Sequence, residues 1–94
     1  MKLSVVIPAN NEEESLGFTI RDLYRELSKE GTEHEIVVIN DGSQDRTEPI
    51  LQELGREIPS LRYLSNPQPN GFGFAVRRGL ETFSGDAVAI FMAD

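Results

Sequence analysis

Apolar residues along this chain alternate between two spacings, and that alternation limits the fold more than any other feature of the sequence. Short β-rich runs at residues 3–7, which Pro8 ends, and at residues 35–39 are apolar except for Ser4 and Glu35, and they are typical of buried strands. Residues 16–27 instead carry leucine or isoleucine at positions i, i+4, i+7 and i+11, which is one face of a helix. The remaining predicted elements are helices over residues 45–58 and 72–83 and strands over residues 61–64 and 87–92.

The resulting order, β-α-β-α-β-α-β, predicts an α/β fold. Strands that alternate with helices imply right-handed crossovers, and therefore an open parallel sheet of the Rossmann-like type with helices on both faces. We find no internal repeat, low-complexity tract or linker in the 94 residues. The sequence therefore predicts a single α/β unit over residues 1–94.

Residues near the predicted ends of the helices suggest how each helix starts or stops. The acids at residues 12–14 are expected in the first turn of the first helix, and Gly31 at its end. Asp45 and Glu48 have the spacing of a capping box for the second helix. Gly85 is placed to close the third helix.

Composition and charge exclude several functional classes. Nine basic and sixteen acidic residues give a net charge of −7, so a nucleic acid is not expected as a partner. The absence of cysteine excludes disulfides, a thiolate nucleophile and a cysteine-based zinc site. The single histidine, His34, cannot form a multi-histidine metal site, and we expect it to be a plain surface residue.

Polar segments follow three of the predicted strands directly. They lie at residues 8–13, at residues 40–45 and at Asp94. In an open parallel sheet ligands bind outside the carboxyl ends of the strands, so these segments are expected to meet at one crevice. Acidic clusters at one edge need donors or a cation. Mg²⁺ or Mn²⁺ bridging a carboxylate and a diphosphate would suit hard oxygen ligands.

Each of these segments also has a purely structural explanation. The Asn-Asp-Gly-Ser run at residues 40–43 is a common turn, and the acids at residues 12–14 could serve only the helix dipole. The glycines at positions 71, 73 and 79 could only ease packing between helix and sheet. Asp94 alone indicates almost nothing. The order and placement of all four signals together are more specific than any one.

Four segments carry a resemblance to a known family. They are VVIPANNEE at residues 5–13, IVVINDGS at residues 36–43 followed by Asp45 and Thr47, NGFGFAVRRG at residues 70–79, and the Gly-Asp-led strand at residues 85–94. In this order and spacing the chain resembles the family 2 glycosyltransferases, which have the GT-A nucleotide-sugar fold, over its whole length. Dolichyl-phosphate sugar transferases and their bacterial relatives look closest.

The resemblance implies a nucleotide-sugar site at the ends of the first two strands. Asp41 would accept a hydrogen bond from the base, either the N3–H of uracil or a guanine edge, and Gly42 would belong to the same site. A carboxylate suits that contact because a charged acceptor gives a short, strong bond. The residues implied to line the pocket for base and ribose are Pro8, Ala9, Asn11 and Glu12.

The resemblance also implies a divalent cation, Mg²⁺ or Mn²⁺, held by Asp94 and bound to the diphosphate. The cation would neutralise the leaving nucleoside diphosphate. Three positions depart from the family pattern. Met92 replaces the first acid of the metal motif, and a thioether is a poor ligand for a hard cation. Asn10 stands where an aromatic residue is usual, and Asn40 where an aspartate is usual.

The function implied by the resemblance is sugar transfer from a nucleoside-diphosphate sugar to an acceptor, with inversion. Family members carry the catalytic base beyond the metal motif, so no catalytic residue is named, and residues 1–94 are expected to be a donor-nucleotide part truncated at that motif and inactive alone. The acceptor stays open between a lipid phosphate, a polysaccharide and a protein. The expected location is the cytoplasm or the cytoplasmic face of a membrane, with any membrane association coming from downstream sequence.

Other classes remain as alternatives. A non-catalytic nucleotide-binding or regulatory module would share the same fold. A dinucleotide oxidoreductase would need a glycine-rich turn after the first strand, and a P-loop NTPase would need Gly-Lys-Ser/Thr; the sequence contains neither. A phosphoacceptor receiver domain could use Asp41, but it would also need a lysine after its last strand.

Overall fold

Strands and helices alternate along the chain as the apolar spacing predicts. The computed structural model describes residues 1–66 and 70–92. The elements, in chain order, are β1 (Leu3–Ala9), α1 (Leu16–Lys29), β2 (His34–Asp41), α2 (Thr47–Glu57), β3 (Leu61–Asn66), α3 (Phe72–Thr82) and β4 (Ala87–Ile90). The predicted α/β class is therefore confirmed, and the differences lie at the element boundaries.

The strands form one parallel sheet in the order β3-β2-β1-β4. At its carboxyl edge Ala9 lies opposite Asn40, and Asp41 lies opposite Asn66. The order changes direction at β1, since β2 and β3 lie on one side of it and β4 on the other. Open α/β sheets bind ligands at such a switch point.

The helices cover both faces of the sheet, as predicted. Helices α1 and α2 pack on the face that carries Val5, Ile7 and Ile36, where they bury the larger part of the core. Helix α3 packs on the opposite face, against Val6. A Cβ on Gly79 would lie 2.2 Å from a Val6 methyl carbon, so only glycine lets α3 lie this close to the sheet.

Strand β1 continues through Pro8, where the sequence predicted its end. The Val6 carbonyl accepts the N–H of Phe91, so the even-numbered residues of β1 turn their backbone groups toward β4. Pro8 therefore faces the β4 side beyond the end of that strand, where its missing N–H breaks no ladder bond.

Three predictions about helix ends are wrong. The acids at residues 12–14 precede α1, which has no acid in its first turn. Glu48 does not complete a capping box; instead Asp45 accepts the Thr47 N–H at 2.9 Å at the start of α2. Gly85 does not close α3, which ends at Thr82. Gly31 does follow α1, with φ of 69°.

His34 is more than the surface residue we expected. Its Nδ1 lies 2.9 Å from the carbonyl oxygen of Thr32, and its Nε2 lies 2.8 Å from the Ser60 hydroxyl. The half-buried ring also packs against Tyr24. His34 therefore joins α1, β2 and the start of β3. Within the described residues, none of the helices is both long and apolar enough to span a membrane.

Candidate functional site

The ends of β1 and β2 lie side by side at the carboxyl edge of the sheet. Pro8, Ala9, Asp41 and Gly42 lie at this edge, and all four are buried. Asn10 joins the two strand ends, because its side-chain amide donates to the carbonyl oxygen of Asp41. The structure thus brings together these predicted residues from two separate segments of the sequence.

Asp41 is almost closed off from solvent, with 4% of its surface exposed. Its Oδ1 accepts a hydrogen bond from the Asn66 side chain at 2.9 Å. The N–H of Asn70 lies within 3.1 Å of both carboxylate oxygens, and the N–H of Gly71 donates to Oδ2 at 2.9 Å. Asp41 therefore ties the end of β2 to β3 and to the residue that precedes α3.

These donors keep the Asp41 carboxylate ionised. Burial by itself would raise the pKa of Asp41, but the hydrogen bonds from Asn66, Asn70 and Gly71 outweigh burial and lower the pKa below its ordinary value. The guanidinium of Arg78 donates to the side-chain oxygen of Asn66, which orients the Asn66 amide toward Asp41. Arg78 thus acts on the site through Asn66.

A set of hydrogen bonds, here named the loop ladder, joins the β1–α1 loop to the β2–α2 loop. It consists of three backbone N–H groups that donate to side-chain oxygens: Asn11 to Ser43 at 3.0 Å, Glu12 to Thr47 at 2.9 Å and Glu13 to Asp45 at 3.2 Å. These side chains take the place of a strand partner for residues that lie past the end of β1. The ladder fixes the loop that carries Asn11 and Glu12.

Asn11 has a backbone conformation that few residues tolerate. Its φ is 53°, in the left-handed region where asparagine is one of the better-suited residues. Its side-chain oxygen accepts the N–H of Gln44 at 2.8 Å, which closes the loop from the other side. Asn11 itself is exposed and Glu12 is half-buried, so both remain accessible at the edge.

Asn40, one of the departures from the family pattern, is buried with its side chain satisfied. Its oxygen accepts the Ser43 hydroxyl, and its amide lies 3.4 Å from the Ser65 hydroxyl. An aspartate could accept the Ser43 bond but could not donate to Ser65, whose hydroxyl itself donates to Glu48 at 3.3 Å. The amide at this position therefore links β2 to β3 without adding a second buried charge beside Asp41.

The predicted metal ligand, Asp94, lies outside the described residues. Met92 is half exposed, and its thioether is a poor donor for a hard cation. Among residues 1–66 and 70–92, no group of three histidine, cysteine, aspartate or glutamate side chains is arranged to hold a metal ion. The side chains described here therefore do not by themselves form a carboxylate cage.

Glu35 is a second buried carboxylate, at the amino edge of the sheet, and sequence reasoning did not identify it. Its Oε2 accepts the Ser4 hydroxyl and the Ser84 N–H, both at 2.6 Å, and its Oε1 lies 3.2 Å from Arg62. Burial alone would raise the pKa of Glu35, but these bonds lower it from 4.5 to about 2. A glutamate at the start of a strand, beside another glutamate and a histidine, resembles a surface residue.

A parallel sheet with a switch point, and polar loops joined above it, defines an open α/β protein of the Rossmann-like class. Comparison with known families is more specific: the sequence profile of glycosyl transferase family 2 matches residues 4–94. The chain therefore belongs to glycosyl transferase family 2. The resemblance inferred from the four motifs is thus confirmed.

Individual relatives agree with this assignment. The chain is 36% identical to a dolichol-phosphate mannosyltransferase from Pyrococcus furiosus, over 100% of this chain and 26% of that protein. It is 43% identical to a bactoprenol glucosyl transferase from Shigella phage SfV, over 94% of this chain and 29% of that protein. The chain thus spans less than a third of the length of these relatives.

A solved structure supports both the fold and the family. Glucosyl-3-phosphoglycerate synthase from Mycobacterium tuberculosis, in complex with Mn²⁺, uridine diphosphate and glucosyl-3-phosphoglycerate, superposes with a TM-score of 0.77 at 32% identity. The match covers 99% of this chain and 33% of that one. The Rossmann-like GT-A fold expected from the motifs is therefore confirmed.

Proposed function

We propose that this chain forms the donor-nucleotide site of a glycosyltransferase that transfers a sugar from a nucleoside-diphosphate sugar, with inversion. The observation that supports this proposal best is the meeting of two family motifs, residues 8–12 and residues 41–42, at the switch-point edge of the sheet. Residues 4–94 match the family, and a relative of known structure was solved with uridine diphosphate.

In this proposal the nucleoside lies over the ends of β1 and β2. Pro8 and Ala9 form the floor under the base, and Asn11 and Glu12 form the wall toward the ribose. Asp41 accepts an N–H of the base, and Gly42 lies next to it at the end of β2. A carboxylate offers about four acceptor positions, and three N–H donors already use Asp41, so the base takes the remaining position or replaces the shared bond of Asn70.

The acceptor in this proposal is a lipid carrier. Two relatives bear names that specify dolichol phosphate and bactoprenol, and they match over 100% and 94% of this chain. We further propose that Asp94 contacts a Mn²⁺ or Mg²⁺ ion, since the solved relative contains Mn²⁺. The ion would supply charge neutralisation at the diphosphate. Transfer to a lipid carrier would occur at the cytoplasmic face of a membrane.

Calorimetric titration of the chain with uridine and guanosine diphosphates, with and without Mn²⁺, tests the donor site. We expect saturable binding of one of the two nucleotides. Replacing Asp41 with alanine should weaken that binding by about tenfold or more, because a charge-assisted hydrogen bond is lost. Asp86→Ala is the matched control, since Asp86 lies at the opposite edge, where it accepts the Lys2 N–H at 2.8 Å.

Three outcomes would contradict the proposal. One is the absence of nucleotide binding by a chain whose folding is verified by circular dichroism. Another is an equal loss of affinity in the Asp41 and Asp86 variants, which would indicate a general loss of stability. Unchanged affinity in a folded Asp41→Ala variant would contradict the proposed base contact alone.

A further inference from the structure

Thr47 and Asp45 hold the backbone of the β1–α1 loop, although neither has a place in the proposed nucleotide pocket. Thr47 is completely buried, so it cannot touch a ligand at the edge. We propose that Thr47 and Asp45 are positioning residues that set the height and orientation of Asn11 and Glu12 above the sheet. This inference rests on the proposed donor-nucleotide function.

The hydroxyl of Thr47 donates one hydrogen bond and accepts another. A hydroxyl has one proton to donate and two lone pairs to accept. The proton of Thr47 points to Oδ1 of Asp45, so a lone pair is left to accept the N–H of Glu12 at 2.9 Å. Asp45 thus orients the hydroxyl, and the hydroxyl positions Glu12.

Asp45 also acts on the loop directly. Its Oδ2 accepts the N–H of Glu13 at 3.2 Å, while its Oδ1 accepts the N–H of Thr47 at 2.9 Å. Burial alone would raise the pKa of Asp45, but its hydrogen bonds, led by the one from the Thr47 hydroxyl, lower the pKa. The ionised carboxylate therefore binds the start of α2 and the neighbouring loop at the same time.

The loop needs this support because its backbone is held in an unfavourable conformation. Asn11, directly before the amides that Thr47 and Asp45 bind, has φ of 53°. Asparagine tolerates the left-handed region better than most residues, but still at some cost, so the loop depends on its hydrogen bonds. Without the Thr47 bond the loop is expected to relax, and Asn11 and Glu12 then leave the positions that the proposed pocket requires.

Thr47→Val tests the inference, because valine keeps the shape of threonine and removes the hydroxyl. Whichever of uridine and guanosine diphosphate binds the unmodified chain, we expect the affinity of this variant for it to fall about five- to tenfold. Amide hydrogen exchange at Glu12 should accelerate by a similar factor. Thr47→Ser should restore both values, since serine keeps the hydroxyl.

Thr82→Val is the matched control. Thr82 is half-buried, and its hydroxyl bonds to carbonyl oxygens of its own helix, Arg78 at 3.1 Å and Gly79 at 3.3 Å. The same change of side chain there should leave both nucleotide affinity and Glu12 exchange unaltered. All titrations are run where thermal unfolding shows every variant to be folded, so that reduced stability does not mimic reduced affinity. Asp45→Asn serves as a second test variant if Thr47→Val does not fold.

The two measurements separate the possible failures. Wild-type affinity in Thr47→Val together with faster Glu12 exchange would overturn the positioning role, because the bond would exist without affecting the pocket. Unchanged Glu12 exchange would overturn the contact itself. If the unmodified folded chain binds neither nucleotide, the proposed function and the positioning role both fail, whereas Glu12 exchange still decides whether Thr47 holds the loop.

Discussion

Two buried carboxylates lie at opposite edges of the same sheet, and they have different surroundings. Glu35 and Asp41 have exposed fractions of 6% and 4%, and both have a lowered pKa. Glu35 pairs directly with Arg62, whereas Asp41 reaches Arg78 through the side chain of Asn66. Burial and a lowered pKa therefore do not by themselves identify a binding carboxylate.

What separates the two is their place in the fold. Glu35 joins the beginnings of β1, β2 and β3 to the residues between α3 and β4, so its bonds close one end of the sheet. Asp41 lies at the switch-point edge, beside the loop ladder and the exposed Asn11. We therefore expect Glu35 to govern stability and Asp41 to govern both stability and binding.

Replacing Glu35 with alanine should produce the largest effect on stability. The Ser4 hydroxyl and the Ser84 N–H would lose their buried acceptor, whereas Arg62, with 42% of its side chain exposed, can turn to solvent. We therefore expect the free energy of unfolding to fall by about 3 kcal/mol, the upper end of the range for buried hydrogen-bonding groups left without a partner. Urea denaturation measures this change. Glu33→Ala is the matched control, because Glu33 is an exposed neighbour and should change stability by less than about 0.5 kcal/mol.

The same variant tests the contrast between the edges. Nucleotide affinity, measured on the folded fraction, should stay at the level of the unmodified chain. Glu35→Gln provides a milder version if the alanine variant does not fold at 25 °C. Loss of nucleotide binding in a folded Glu35 variant would show that the two edges are coupled, contrary to our expectation.

Acid should weaken the fold through the same carboxylate. The pKa of Glu35 is about 2 in the folded chain and 4.5 ordinarily, so between these values the unfolded state binds more protons. The Glu35 contribution is therefore complete above about pH 4.5 and is lost as the pH falls toward about 2. It amounts to about 3 kcal/mol.

Urea denaturation at a series of pH values from 7 to 2 measures this dependence. The lowered pKa values of Asp41 and Asp45 add to it in the same direction. In Glu35→Gln the slope should be reduced, because the titrating group is gone. An equal acid dependence in that variant would show that other carboxylates cause it.

The sequence predicted the order of the elements and the edge that carries the candidate site. Apolar spacing is a direct consequence of burial, so residues 3–7 and residues 35–39 were identified as strands without knowledge of their partners. The strand-end rule then placed Asp41 at the correct edge. Both predictions depend on neighbours in sequence or on a general property of parallel sheets.

Contacts between distant segments could not be predicted in this way. Glu35 bonds to Ser4 and to Ser84, which lie 31 and 49 positions away, and no local pattern encodes that pairing. The need for glycine at position 85 also comes from a distant segment, because a Cβ there would lie 2.5 Å from the Ser4 hydroxyl oxygen. The motif containing Gly85 was recognised, but its contact with β1 was not.

Two glycines with similar backbone conformations give the smallest and most specific test of the contrast between edges. Gly31 ends α1 near the amino edge with φ of 69°, and Gly42 follows β2 at the carboxyl edge with φ of 66°. Alanine at either position should lower the free energy of unfolding by about 1 kcal/mol, because a Cβ disfavours the left-handed region. Thermal denaturation measures both changes.

Only the Gly42 change should also affect nucleotide binding. The N–H of Gly42 donates to the carbonyl oxygen of Asn66 at 3.0 Å, so a shift of its backbone moves the end of β2 that carries Asp41. We expect about a threefold loss of affinity in Gly42→Ala and none in Gly31→Ala, a difference of about 0.7 kcal/mol that calorimetry resolves. Equal affinities in two equally destabilised variants would mean that nucleotide binding is no more sensitive to backbone changes at the carboxyl edge than at the amino edge. The distinction between Asp41 and Glu35 would then depend on side-chain chemistry alone.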